Sequence, residues 1–94
     1  MDLVEYELGE KNTQCEEGSR ITDYNECFKA ANGYLGLDWG AQWAYHETAS
    51  NYPRDCYQWS GGPVYFNAHT TGKEQKSSQP ICIKSTNLVY FRYL

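Results

Sequence analysis

The sequence predicts a small α+β domain in which one helix packs on a twisted antiparallel sheet and two disulfides staple the whole. Three observations carry this. Four cysteines, Cys15, Cys27, Cys56 and Cys82, are scattered over only 94 residues, and a domain of that size buries too little apolar surface to be secure without staples. One helical stripe of apolar residues spans positions 24–35. Beyond it the chain changes to short aromatic-rich runs separated by turn residues, the pattern of a small antiparallel sheet.

Residues 4–8 set Val4, Tyr6 and Leu8 on one face and Glu5 and Glu7 on the other, the alternation of a half-buried first strand. Residues 9–20 are polar and contain Gly9 and Gly18, so they predict a loop anchored by Cys15. Tyr24, Cys27, Phe28, Ala31 and Leu35 then fall on one side of an α-helix. Thr22 or Asp23 suits its N-cap, and Asp23 with Glu26 forms a loose capping box. Gly36 suits the left-handed position after its end, with Asn32-Gly33 as an earlier stop.

Strands are expected at residues 42–45, 56–59, 64–67, 81–84 and 88–93, with residues 60–63 (Ser-Gly-Gly-Pro) as a hairpin connection. Residues 72–80, with Lys73, Lys76, Ser77 and Ser78, predict a mobile loop. In the last run both faces carry apolar side chains, Leu88 and Tyr90 against Val89, Phe91 and Tyr93. Such a strand must be central or covered, either within the monomer or by self-association through this C-terminal strand. The chain therefore reads as a single disulfide-rich domain over residues 1–94, with a core at about 6–84 and a terminal strand or tail at 85–94.

A net charge of -4 and an isoelectric point near 5.0 leave no electrostatic footprint for a phosphate backbone, so nucleic acid and acidic membranes are not expected partners. No stretch approaches the roughly 18 apolar residues of a membrane-spanning helix. An even set of cysteines without a C-x-x-C pair points to a secreted, extracellular or otherwise oxidising location. The N-terminus lacks the basic start and apolar centre of a secretory signal, so the chain reads as mature.

Of the three pairings that four cysteines allow, Cys15 with Cys82 and Cys27 with Cys56 is favoured. The first joins the ends of the domain and the second clamps the helix to the sheet. A free thiol activated by His46 or His69 would be a nucleophile, but scattered paired cysteines fit the disulfide rule better. His46, His69, Glu47 and Asp55 match no metal spacing. Glu16, Glu17, Asp23, Glu26, Asp38 and Asp55 read as caps and loop charges in a domain too small for a deep glycosidase cleft. No catalytic centre, metal or cofactor is expected.

Aromatic residues are the remaining signal. With Tyr 9, Trp 3 and Phe 3, the chain holds more rings with polar tips than its core needs, and such rings favour recognition surfaces. Trp39, Trp43, Tyr45, Tyr52, Tyr57, Trp59 and Tyr65 fall between positions 39 and 65. Ordinary packing is the simpler account of any one of them. The excess nevertheless predicts an exposed patch, with Trp39, Trp43, Trp59, Tyr45 and Tyr57 as candidate ligand-binding residues.

The order Tyr6, Cys15, Ile21-Thr22, Glu26-Cys27, Ala30-Ala31, Leu35-Gly36, Pro53, Cys56, Val64-Tyr65-Phe66-Asn67 and Ile81-Cys82 resembles a four-cysteine module of extracellular proteins from eukaryotic algae and related protists. The likeness covers roughly residues 6–84 and implies no established activity. A weaker likeness is to C-type lectin domains, which also close on an Ile-Cys strand and mix tryptophans with disulfides. This chain has one candidate helix in place of two and lacks the Trp-Asn-Asp segment and Glu-Pro-Asn pair that hold calcium there. The expected function is non-enzymatic extracellular recognition of a carbohydrate or protein through the aromatic patch. The alternative is a structural subunit of a larger extracellular assembly.

Overall fold

The computed structural model describes residues 4–40 and 47–84. The expected strands at 42–45 and 88–93 lie outside the described residues. Among those described, β1 (Tyr6–Leu8) is followed by a 3-10 turn (Glu17–Ser19), a helix α1 (Tyr24–Phe28) extended by a π-helical turn (Lys29–Tyr34), and strands β2 (Pro53–Trp59), β3 (Val64–Gly72) and β4 (Ser78–Ile83). The strands form one sheet in the order β1-β4-β2-β3, and all its pairings are antiparallel. This is the α+β arrangement expected, with one helical segment, one sheet and two disulfides.

Strand alternation divides the sheet into two faces. Cys56 lies opposite Phe66, and Gln58 opposite Val64. In β4 the same face carries Ile81 and Ile83, which pair with Leu8 and Tyr6. That face receives the helix, whose Cys27, Ala30 and Ala31 are fully buried against Cys56, Val64 and Ile81 together with Ile21. Each large apolar side chain so buried contributes roughly 1.5–3 kcal/mol, and the disulfide Cys27–Cys56 pins helix to sheet. The opposite face carries Tyr57, Trp59, Tyr65, Pro80 and Cys82. There the disulfide Cys15–Cys82 pins the polar loop that follows β1. Each staple thus secures the cover of a different face.

The helix departs from its sequence pattern in two ways. Asp23 is the N-cap and accepts from the Glu26 amide at 2.9 Å, as the box predicts. After five α-helical residues, however, the turn widens, with the Leu35 amide reaching the Ala30 carbonyl at 2.9 Å. Phe28, expected in the buried stripe, is 42% exposed. The helix face is fixed by Cys27 and by two small residues that allow close approach to the sheet, so it turns away from Phe28. Gly36 takes a positive φ of 69° just beyond the helix.

Two further expectations are corrected. Residues 72–80 are not one loop, because β3 runs to Gly72 and β4 begins at Ser78, so only residues 73–77 connect them. The polar character of this stretch misleads because β4 is an interior strand whose polar groups are paired. Ser78 Oγ donates to the Gln75 carbonyl and Gln79 Nε2 to the Gly9 carbonyl. β2 also begins earlier than expected, at Pro53, because a bulge interrupts its register. Pro53 pairs with Gly72 but Asp55 pairs with Asn67. Gly72 has φ 57° and packs so closely on the backbone of Tyr52, Pro53 and Arg54 that a Cβ would collide with it.

The outer edge of β3 is partly covered. Trp39 bridges to Val64 and Glu47 to Asn67, both in parallel sense. Backbone hydrogen bonds run from Gly40 N to the Val64 carbonyl at 2.8 Å and from Ala68 N to the Glu47 carbonyl at 2.7 Å. This edge is what positions the candidate site.

Candidate functional site: an aromatic cleft beside Glu47

Tyr57 and Trp59 are two residues apart on β2 and so project from the same face, where Tyr65 of β3 stands directly opposite Tyr57. Tyr52 reaches the same place from the segment that enters β2. Its ring lies nearly parallel to that of Tyr57 (centroids 6.1 Å apart, 8° between planes) and nearly perpendicular to that of Trp59 (5.4 Å, 86°). Tyr57 and Tyr65 rings are 5.8 Å apart and tilted by 35°. With Glu47, these four rings line an open cleft of about 310 Å³. Tyr57 forms its floor at 2% exposure, whereas Tyr52, Trp59 and Tyr65 are half-buried.

Glu47 is held by its backbone, whose amide donates to the Phe66 carbonyl at 3.1 Å. Its Oε1 accepts from the Tyr57 hydroxyl at 2.6 Å. Burial, and then the adjacent Glu47 carboxylate, push the Tyr57 hydroxyl far above its ordinary range. It remains a donor throughout ordinary pH. The cleft therefore presents aromatic faces and one carboxylate whose position is fixed by a phenol.

The segment between Glu47 and β2 is organised by Asn67, which is fully buried on β3. Its Nδ2 donates to the carbonyls of Ala49 (2.8 Å), Tyr52 (3.1 Å) and Pro53 (2.9 Å). Its Oδ1 accepts from the amides of Ala49 (2.9 Å) and His69 (3.2 Å). One amide thus holds both chain segments that deliver Glu47 and Tyr52.

Of the expected binding residues, Tyr57 and Trp59 meet in this cleft. Trp39 does not. It packs edge-on against Tyr24 and Phe28 beside the helix, and its Nε1 donates to the Tyr24 hydroxyl at 3.3 Å. Trp43 and Tyr45 lie outside the described residues. Tyr52 and Tyr65 belong to the aromatic stretch but are not among the expected binding residues, and the sequence offers Glu47 only as a metal ligand. No local signal marks Glu47, because its place depends on pairing with β3.

The other candidate chemistries resolve into structural roles. All four cysteines are in disulfides, so no thiol remains for a cysteine-histidine pair. His46 lies outside the described residues. His69 Nδ1 accepts from the Gly72 amide at 2.9 Å and the Thr71 amide at 3.2 Å, closing the end of β3. Asp55, buried and at φ 68°, receives Arg20 Nε at 2.9 Å and Nη2 at 3.3 Å. Arg54 lies beside the same carboxylate and donates to the Cys15 carbonyl at 3.1 Å. Among the described residues, no three His, Cys, Asp or Glu side chains gather closely enough to hold a metal ion, and no helix is long and apolar enough to cross a membrane. No family model matches the chain, and neither a curated protein nor a solved structure matches it, so the cleft is read from its own geometry.

Proposed function

We propose that this domain is a non-enzymatic recognition module that seats part of a carbohydrate or protein partner in the aromatic cleft, in a secreted or extracellular setting. The observation that carries this reading is the convergence of Tyr52, Tyr57, Trp59 and Tyr65 on one open cleft. Rings fixed by a sheet offer large contact area at low conformational cost. Two intramolecular disulfides are compatible with an oxidising environment.

The test is screening of the domain on glycan and extracellular-protein arrays, followed by titration of the binders found. Trp59→Ala should weaken binding by about 2 kcal/mol, close to thirty-fold, while leaving the circular dichroism spectrum unchanged. A folded Trp59→Ala variant that bound every partner as the native chain does would refute the reading.

A second reading, as an assembly subunit, is favoured by β1, which forms the edge of the described sheet with the 46% exposed Val4 beside it. It calls for a molecular mass in solution that rises with concentration.

A further inference from the structure

Resting on the recognition reading of the cleft, we propose that the group it takes is a small quaternary ammonium ion of the choline type. The first support is ring geometry. A row of sugar faces is served by rings that lie coplanar and exposed, but here the parallel pair is Tyr52 and the buried floor residue Tyr57, and the half-buried Trp59 stands at 86° to Tyr52. Walls that meet at a corner suit a rounded group. Aromatic faces carry negative quadrupole density, which attracts a cation held over them.

The second support is charge. Glu47 brings a carboxylate to the same cleft, and its Oε1 is fixed by the Tyr57 hydroxyl. A neutral hydroxyl can donate to that carboxylate but gains nothing from the ring faces as a charge, whereas a cation gains from the carboxylate and from the rings together. The third is hydration. A primary ammonium has three donors to satisfy and is strongly hydrated, and Glu47, the one charged side chain at the cleft among the described residues, already spends one oxygen on Tyr57. A quaternary ammonium donates no hydrogen bonds and presents methyl groups to the rings. The open cleft of about 310 Å³ accepts such a head and leaves its tail in solvent.

Isothermal titration calorimetry with choline, and with 3,3-dimethyl-1-butanol as its uncharged carbon counterpart, tests this directly. Choline should bind about ten-fold more tightly than the neutral compound. Glu47→Gln, which keeps an acceptor for Tyr57, should weaken choline about ten-fold and leave the neutral compound unaffected. Trp59→Ala should weaken both. Equal binding of the two compounds, or choline binding indifferent to Glu47→Gln, would overturn the ammonium assignment. If Trp59→Ala still abolished the neutral compound, the cleft would stand as a recognition site for uncharged ligands. Absence of choline binding to the native domain would also sink the assignment, and the array screen would then judge the cleft on its own.

Discussion

Asn67 has more consequence than its single position suggests. Its side chain satisfies three carbonyls and two amides, in the segment between Glu47 and β2, at the first residue of β2 and at His69 of β3, all from a site with no solvent access. Buried backbone groups stripped of a partner cost about 1–3 kcal/mol each. Asn67→Ala should therefore lower stability by about 3 kcal/mol or more, measured by chemical denaturation, and should loosen Glu47 and Tyr52 together. Asp at this position would supply no donor and would face three carbonyls with negative charge. A loss below about 1 kcal/mol would show that water replaces the amide without difficulty. The Phe66-Asn67 step is visible in the sequence, but apart from the His69 amide the partners of Asn67 are 14 to 18 residues away, and nothing local announces them.

Between elements, the joint of β1 with the helix is made by Tyr6. Its hydroxyl donates to Glu26 Oε2 at 2.9 Å, and its ring meets Tyr34 edge-on at 5.4 Å. Burial, then the hydrogen bond to Glu26 and its charge, raise the Tyr6 hydroxyl from an ordinary 10.0 to about 12. The unfolded chain releases this proton near pH 10 and the folded one holds it to about pH 12. Stability from the joint is thus complete below pH 10 and is lost as pH rises through 12, and Tyr57 shifts in the same direction. Melting temperature should fall across this window, and Tyr6→Phe should flatten part of the fall. An identical pH slope in the variant would remove Tyr6 from the account. Signals that are local in sequence made the start of the helix, β1 and the 60–63 hairpin legible. The π-helical turn, the bulge at Asp55 and the length of β3 were not, because each depends on what the backbone meets across the sheet.

For the whole molecule, the pairing of cysteines follows from the two-faced sheet. The enclosed separations of 29 and 67 residues each restrict the unfolded chain by about 4 kcal/mol in the loop-entropy model. Domains of this kind have roughly 5–15 kcal/mol in total. Reduction should therefore abolish the melting transition or lower it by tens of degrees, at about 4–8 °C per kcal/mol for a domain of this size. An unchanged transition with free thiols confirmed would contradict this. Removing one pair at a time should raise hydrogen exchange on one face only, the helix for Cys27–Cys56 and the loop after β1 for Cys15–Cys82. The class of fold was legible because cysteine count, one helical stripe and aromatic alternation all point the same way. The cleft was only half legible, since composition shows that rings are abundant but not which of them share a face with Glu47.

The Cys15–Cys82 bond also sets how this domain responds to tension. A pull applied to the chain on either side of it passes from Cys15 directly to Cys82, so everything between those positions, including the cleft, bears none of the load. Among the described strands, β1 and the end of β4 at Ile83 lie outside this shunt, and Tyr6 sits beside Ile83, so the bonds of β1 to β4 open one after another like a zip. The chain then lengthens by the few residues before Cys15, about 35 Å for ten residues at ~3.5 Å each, and stops. Under stretch the domain behaves as a short extensible link from which the part enclosed by the disulfide, cleft included, hangs unloaded.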